Sequence, residues 1–150
     1  MSARLEPVYL ANVLLHTFNT KSVKAFPFVS RNCLIAMLTL KTNPDVGLPP
    51  GEILRFFPNI NTMVVEELSC FGGSDALPGT VTALVVQNLD FCHLTDEQIT
   101  LADRVVEIRD GCSSREQPPN FALFPNLERL ILSHVPPSLT LPTHKLKRLS

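Results

Sequence analysis

Phe57-Pro58-Asn59-Ile60-Asn61-Thr62-Met63-Val64-Val65 is answered further along the chain by Phe124-Pro125-Asn126-Leu127-Glu128-Arg129-Leu130-Ile131-Leu132. Each stretch reads Phe-Pro-Asn, then places apolar residues at the first, fourth and sixth positions after it. Apolar residues two apart, such as Met63 with Val65 or Leu130 with Leu132, fall on one face of a strand. A single short strand cannot bury that face alone, so copies of the frame must stack on one another.

The frame recurs between these two stretches. Val81, Leu84 and Val86 keep it and Leu89 follows; Val106, Ile108 and Gly111 give a weaker copy, with Asp103 at the first apolar place. Leu146 and Leu149 open another. Taking Met63, Leu84, Val106, Leu130 and Leu149 as equivalent gives steps of 21, 22, 24 and 19 residues. Intervening segments supply the other wall of the core. Ile53, Leu54 and Phe57 suit a helical turn, Thr95 with Gln98 forms a capping-box pattern, and Phe121, Leu123 and Phe124 precede the fourth strand.

A period of this length resembles the leucine-rich-repeat family over residues 51–150. The resemblance implies an α/β solenoid with a parallel sheet on its concave face, in about four complete repeats and the start of a fifth. The family's usual Asn or Cys at the ninth motif place is replaced here by Leu68, Leu89, Gly111 and Val135, which predicts less regular turns. The last frame stops at Ser150 without a cap, so the natural chain is expected to continue, or another chain to cover that end.

Residues 1–44 read as a cap of three helices. Pro7 suits a first helical turn, Val8, Leu10, Val13, Leu14 and Phe18 make an apolar stripe, Thr20 caps a second helix through Phe26, and Ser30 caps a third that Pro44 closes. This block resembles an F-box: Leu5 and Pro7 at the start, Val13, Leu14 and Phe18 in and after the first helix, Thr20 and Val23 in the second, then Val29-Ser30-Arg31. It departs in placing Pro7 one residue late and in lacking an aromatic residue after that junction. The F-box resemblance implies docking on a Skp-type adaptor of a cullin ubiquitin ligase, with Leu5, Pro7, Leu14, Val23 and Val29 at the contact. The repeats would then hold a substrate protein.

On the concave face the resemblance places Val64, Glu66, Val85, Gln87, Glu107, Arg109, Arg129, Ile131 and Ser133 against a protein partner. The alternative is a regulatory scaffold that grips a phosphatase or GTPase with this face and uses the helices only as a cap.

The chain of 150 residues carries 13 basic and 14 acidic residues, so it lacks the basic field that nucleic-acid binding needs. The longest apolar run, Cys33 to Leu38, is far too short to span a bilayer, and no signal peptide is visible. The four Cys read as reduced thiols of a cytosolic or nuclear protein, with Cys70, Cys92 and Cys112 as apolar fillers of the repeat turns. Neither Cys-x-x-Cys nor His-x-x-x-His spacing occurs, and Gly72-Gly73 lacks the Lys of a phosphate-binding loop. Cys92 and His93 are adjacent, which points their side chains apart. The expectation is a binding protein without catalytic residues, cofactor or metal.

Overall fold

The computed structural model describes residues 5–71, 77–91, 93–112, 120–132 and 146–149. It is a mixed α/β fold. Three helices come first: α1 (Pro7–Leu15), α2 (Thr20–Ala25) and α3 (Arg31–Thr39), followed by α4 (Pro50–Phe56). The sheet contains β1 (Thr62–Val65), β2 (Ala83–Asp90), β3 (Val105–Cys112), β4 (Arg129–Leu132) and β5 (Arg148–Leu149), with α5 (Asp96–Ile99) between β2 and β3. All neighbouring strands pair in parallel, and their order in space is their order in the chain.

Local chemistry explains most boundaries. Pro7 and Pro50 sit in the first turns of α1 and α4, where a missing N–H leaves nothing unsatisfied. The Ser30 hydroxyl accepts the Cys33 N–H at the start of α3, and Thr95 and Gln98 complete the capping box of α5. The cap of α2 is Asn19, not Thr20: its side chain accepts the Lys21 and Ser22 N–H groups. Thr20 instead donates from Oγ1 to the Val46 carbonyl at 3.0 Å.

The two Phe-Pro-Asn stretches fold alike. Phe57 and Phe124 are buried, Pro58, Asn59, Pro125 and Asn126 are exposed, and Ile60 and Leu127 turn back into the core. In both, the Asn Nδ2 donates at 2.7 Å to a carbonyl of an earlier segment, Leu38 O from Asn59 and Asp103 O from Asn126. Arg104 makes a similar backward bond from Nη1 to Val81 O, at 3.0 Å. These bonds satisfy backbone carbonyls of segments that have no strand neighbour there.

The backbone register splits the five equivalent positions between two rows: Met63 and Leu84 align with Val105, whereas Leu130 and Leu149 fall in the row of Val65, Val86 and Ile108. Val65 aligns with Val86, Val86 with Ile108, Ile108 with Leu130, and Leu130 with Leu149. Val106 is in neither row: Leu84 pairs with Val105 and Val85 with Glu107, so Val106 is the extra residue of a bulge and is only half-buried. A second shift follows between Ile108 and Gly111.

One buried cluster runs from Leu14, Val23 and Met37 in the helices through Ile53, Phe57 and Met63 to Leu130 and Leu132. Helices and sheet therefore share a core. Cys33 is buried, but Cys70 is exposed and fills no turn; Cys92 lies outside the described residues, as does the side chain of Cys112. Among the described residues, no helix is long and apolar enough to cross a membrane.

Candidate functional site: an exposed helical face and a partly covered sheet

The first surface is on the helices. Leu5, Tyr9 and Val13 are spaced by four residues along α1 and its entry, which aligns them on one side of the helix, and all three are exposed. Phe28 and Val29, just before α3, are 86% and 72% exposed, and Leu34, Ile35 and Leu38 add apolar area on α3 itself. A cavity of about 470 Å³ joins the two regions, lined by Leu5, Leu10, Val29, Ser30, Arg31, Asn32 and Cys33. Asn32 Nδ2 donates to the Leu5 carbonyl at 2.9 Å and holds the entry of α1 against α3. Exposed apolar side chains in this number are uncommon on the surface of a monomer.

The residues expected at this contact divide sharply. Leu5 and Val29 are exposed beside the cavity, and Pro7 is half-buried at the start of α1. Leu14 and Val23 are fully buried in the shared core and are unavailable to a partner. On a short helix an apolar residue serves the core or a partner, and the sequence alone does not say which side faces in. Tyr9 and Phe28 were missed for the same reason.

The second surface is the sheet face carrying the row Val64, Val85, Glu107, Arg129 and Arg148, which the strand register aligns. Its two ends differ. Val64 and Val85 are only 8% and 6% exposed, and β1 is buried on both sides, whereas β4 alternates exposed and buried residues. The cover over the first strands is the segment 43–48. Asn43, itself buried, brackets Val64: Nδ2 donates to Val64 O at 2.9 Å, and Oδ1 accepts Val64 N–H at 2.8 Å. Together with the parallel bridge of Thr42 to Thr62, these bonds close the outer edge of β1. Asp45 then reaches across the face to accept hydrogen bonds from Gln87 Nε2 and, at 3.4 Å, from Arg109 Nη1. Gly47 turns the segment at φ +51°, in the left-handed region that glycine tolerates.

Val64 and Val85 are therefore structural, contrary to the expectation that they face a partner. Gln87 and Arg109 are half-buried under Asp45, and Glu66 is exposed beside Gly47. Glu107 bridges two guanidiniums, accepting from Arg109 Nε at 3.0 Å and from Arg129 Nη1 at 3.3 Å. Arg129 and Ile131 remain exposed; Ser133 lies outside the described residues. The sequence missed Asn43 and Asp45 because they sit in a Pro-bounded loop far from the strands they touch. The two differ in weight. Asp45 holds Arg109 in a pair that water reaches on both sides, so Asp45→Ala should cost less than about 1 kcal/mol. A urea titration checks it, and a loss well above that would mean the loop depends on the pair.

A second cavity, about 520 Å³, lies near the C-terminal ends of β1–β3 and includes Glu67, Asn88, Asp90, His93, Gln98 and Asp110 over Leu68 and Leu89. His93 Nδ1 is 2.7 Å from Asp90 Oδ2, a carboxylate–imidazole pair. Ser69 also lines the cavity, but its hydroxyl donates to Glu67 Oε2 at 2.6 Å. Among the described residues, no three His, Cys, Asp or Glu side chains form a group that could hold a metal ion. The geometry of both surfaces offers contact area and charge. In comparisons with protein-family models, curated proteins and solved structures, nothing matches this chain.

Proposed function

We propose that the chain is a protein-interaction adaptor whose N-terminal helices dock on a second protein. The observation that carries this reading is the exposed apolar surface around Leu5, Tyr9, Val13, Phe28 and Val29. Buried apolar area is the main source of affinity in such contacts, and aromatic anchors beside a pocket are where it concentrates. The F-box resemblance of the same helices gives the partner: a Skp-type adaptor of a cullin ubiquitin ligase. The leucine-rich-repeat reading of the rest draws support from the chain-order parallel strands and the recurring backward bonds of Asn59, Arg104 and Asn126. The scaffold alternative needs an open face along the whole sheet. The cover over Val64 and Val85 weighs against it.

The test is capture of purified Skp-type adaptor by the full chain, beside the double variant Leu5→Asp with Val29→Asp. Both positions are exposed, so the variant should melt within a few degrees of the parent. Deleting residues 1–44 would instead strip Leu14, Val23, Met37 and Asn43 from the folded protein. The parent is expected to bind and the variant to lose roughly tenfold or more in affinity. Absence of capture by the folded parent would defeat the adaptor reading.

A further inference from the structure

The arginines on the open part of the sheet outnumber the acids that serve them. Arg129 and Arg148 are register partners on adjacent parallel strands, so two like charges stand side by side where opposite charges would stabilise. Neighbouring strands lie only about 4.8 Å apart. Among the described residues, the carboxylates bonded to arginines of this face are already shared: Asp45 serves Gln87 and Arg109, and Glu107 serves Arg109 and Arg129. Glu128, next to Arg129 in sequence, is taken by Lys147 at 2.8 Å. Among the described residues, Arg148 has no hydrogen bond or ion pair from its guanidinium, and residues 133–145, which join the two strands, contain no Asp or Glu. Arg129 keeps a side chain 53% exposed beside the exposed Ile131.

We propose that this arginine row is a docking site for an acidic peptide segment of a partner protein, with carboxylates bridging Arg129 and Arg148 and an apolar side chain on Ile131. A guanidinium has five donors in a planar fork that matches a carboxylate, and Arg129 uses few of them within the chain. The cover at 43–48 fixes where such a segment can lie, because it closes the face at β1 and β2 and reaches Arg109 of β3 through Asp45, whereas Arg129, Ile131 and Arg148 are exposed. A nucleic acid suits the face less well: Glu66, Glu107 and Asp110 on the same strands or just beyond them repel a continuous polyphosphate, whereas discrete carboxylates can be spaced between them. The proposal rests on reading this face as partner-facing and is independent of the helical surface.

The experiment is fluorescence anisotropy of the full chain with a labelled Glu-Asp-Leu-Asp-Glu peptide, its neutral Gln-Asn-Leu-Asn-Gln counterpart, and an oligothymidylate of equal charge. The acidic peptide should bind about tenfold more tightly than the neutral one, and Arg129→Gln or Arg148→Gln should each remove most of that difference. Arg148→Gln should at the same time leave the melting temperature unchanged or raise it, because it relieves the like-charge pair; a merely structural arginine would lower it. Equal binding of the two peptides, no effect of either substitution, or tighter binding of the oligothymidylate would overturn the proposal. The peptide reads the sheet and adaptor capture reads the helices, so failure of one result leaves the other standing.

Discussion

Phe57→Ala is expected to destabilise the protein by about 3–5 kcal/mol, the range for removing a fully buried aromatic ring. Phe57 has no exposed surface and sits where α4 ends, its N–H bonded to Ile53 O at 2.8 Å. The ring is part of the buried cluster that also takes in Ile53, Ile60 and Met63, so its loss opens a cavity between the helix and β1. Phe124→Ala should behave similarly, since that ring is 2% exposed and meets Phe91 edge-on with centroids 5.9 Å apart. Because domains of this size hold only about 5–15 kcal/mol in total, the Ala variant can lose its fold outright. Phe57→Leu keeps most of the volume and should cost about 1.5 kcal/mol or slightly more. Urea denaturation with an unchanged slope is the measurement, and a loss under about 1 kcal/mol for Phe57→Ala would place the ring outside the core.

Asn43→Ala is the second large effect. The Asn amide satisfies both the N–H and the carbonyl of Val64, and Nδ2 also donates to Pro44 O at 3.0 Å. Removing it leaves two buried backbone groups unpaired, each worth about 1–3 kcal/mol, for a total of roughly 2–6 kcal/mol. At about 2–4 °C per kcal/mol for a chain of this size, the melting temperature should fall by roughly 4–24 °C. Amide exchange gives a sharper readout, because the Val64 N–H should lose protection before its neighbours in β2. An unchanged melting temperature together with unchanged Val64 exchange would show that other groups satisfy this edge. Asn43→Asp should not rescue it, since a carboxylate restores the acceptor but supplies no donor and brings a charge into a buried site.

The parallel α/β sheet was legible because Met63 with Val65, Leu84 with Val86 and Leu130 with Leu132 all carry the two-residue spacing that a half-buried strand requires. The bulge at Val106 was not, because the pairing of Val105 and Glu107 with a neighbouring strand creates it, and Val106 is itself an ordinary strand residue. The candidate contacts split along the same line. Arg129 and Ile131 follow from alternation along one strand and are exposed as expected. Val64 and Val85 follow from the same alternation, yet a loop some 20 to 40 residues away in sequence covers them, and nothing local to β1 or β2 announces it. In the helices, Leu14 and Val13 are adjacent and equally apolar. Only the packing of α1 on α3 decides that one is core and the other surface.

The chain-order arrangement of the strands bears on how the protein is made. Every strand bonds to the one synthesised just before it, and β1 bonds to Thr42 and Asn43, which leave the ribosome earlier still. Each strand pairing closes a loop of about 20 residues, and the entropy of that closure is modest and nearly the same each time. A nascent chain can therefore add one strand at a time onto finished structure, with no early strand left waiting for a late partner. Asn43 sets the first template in that sequence, so an error there is inherited by every strand that follows.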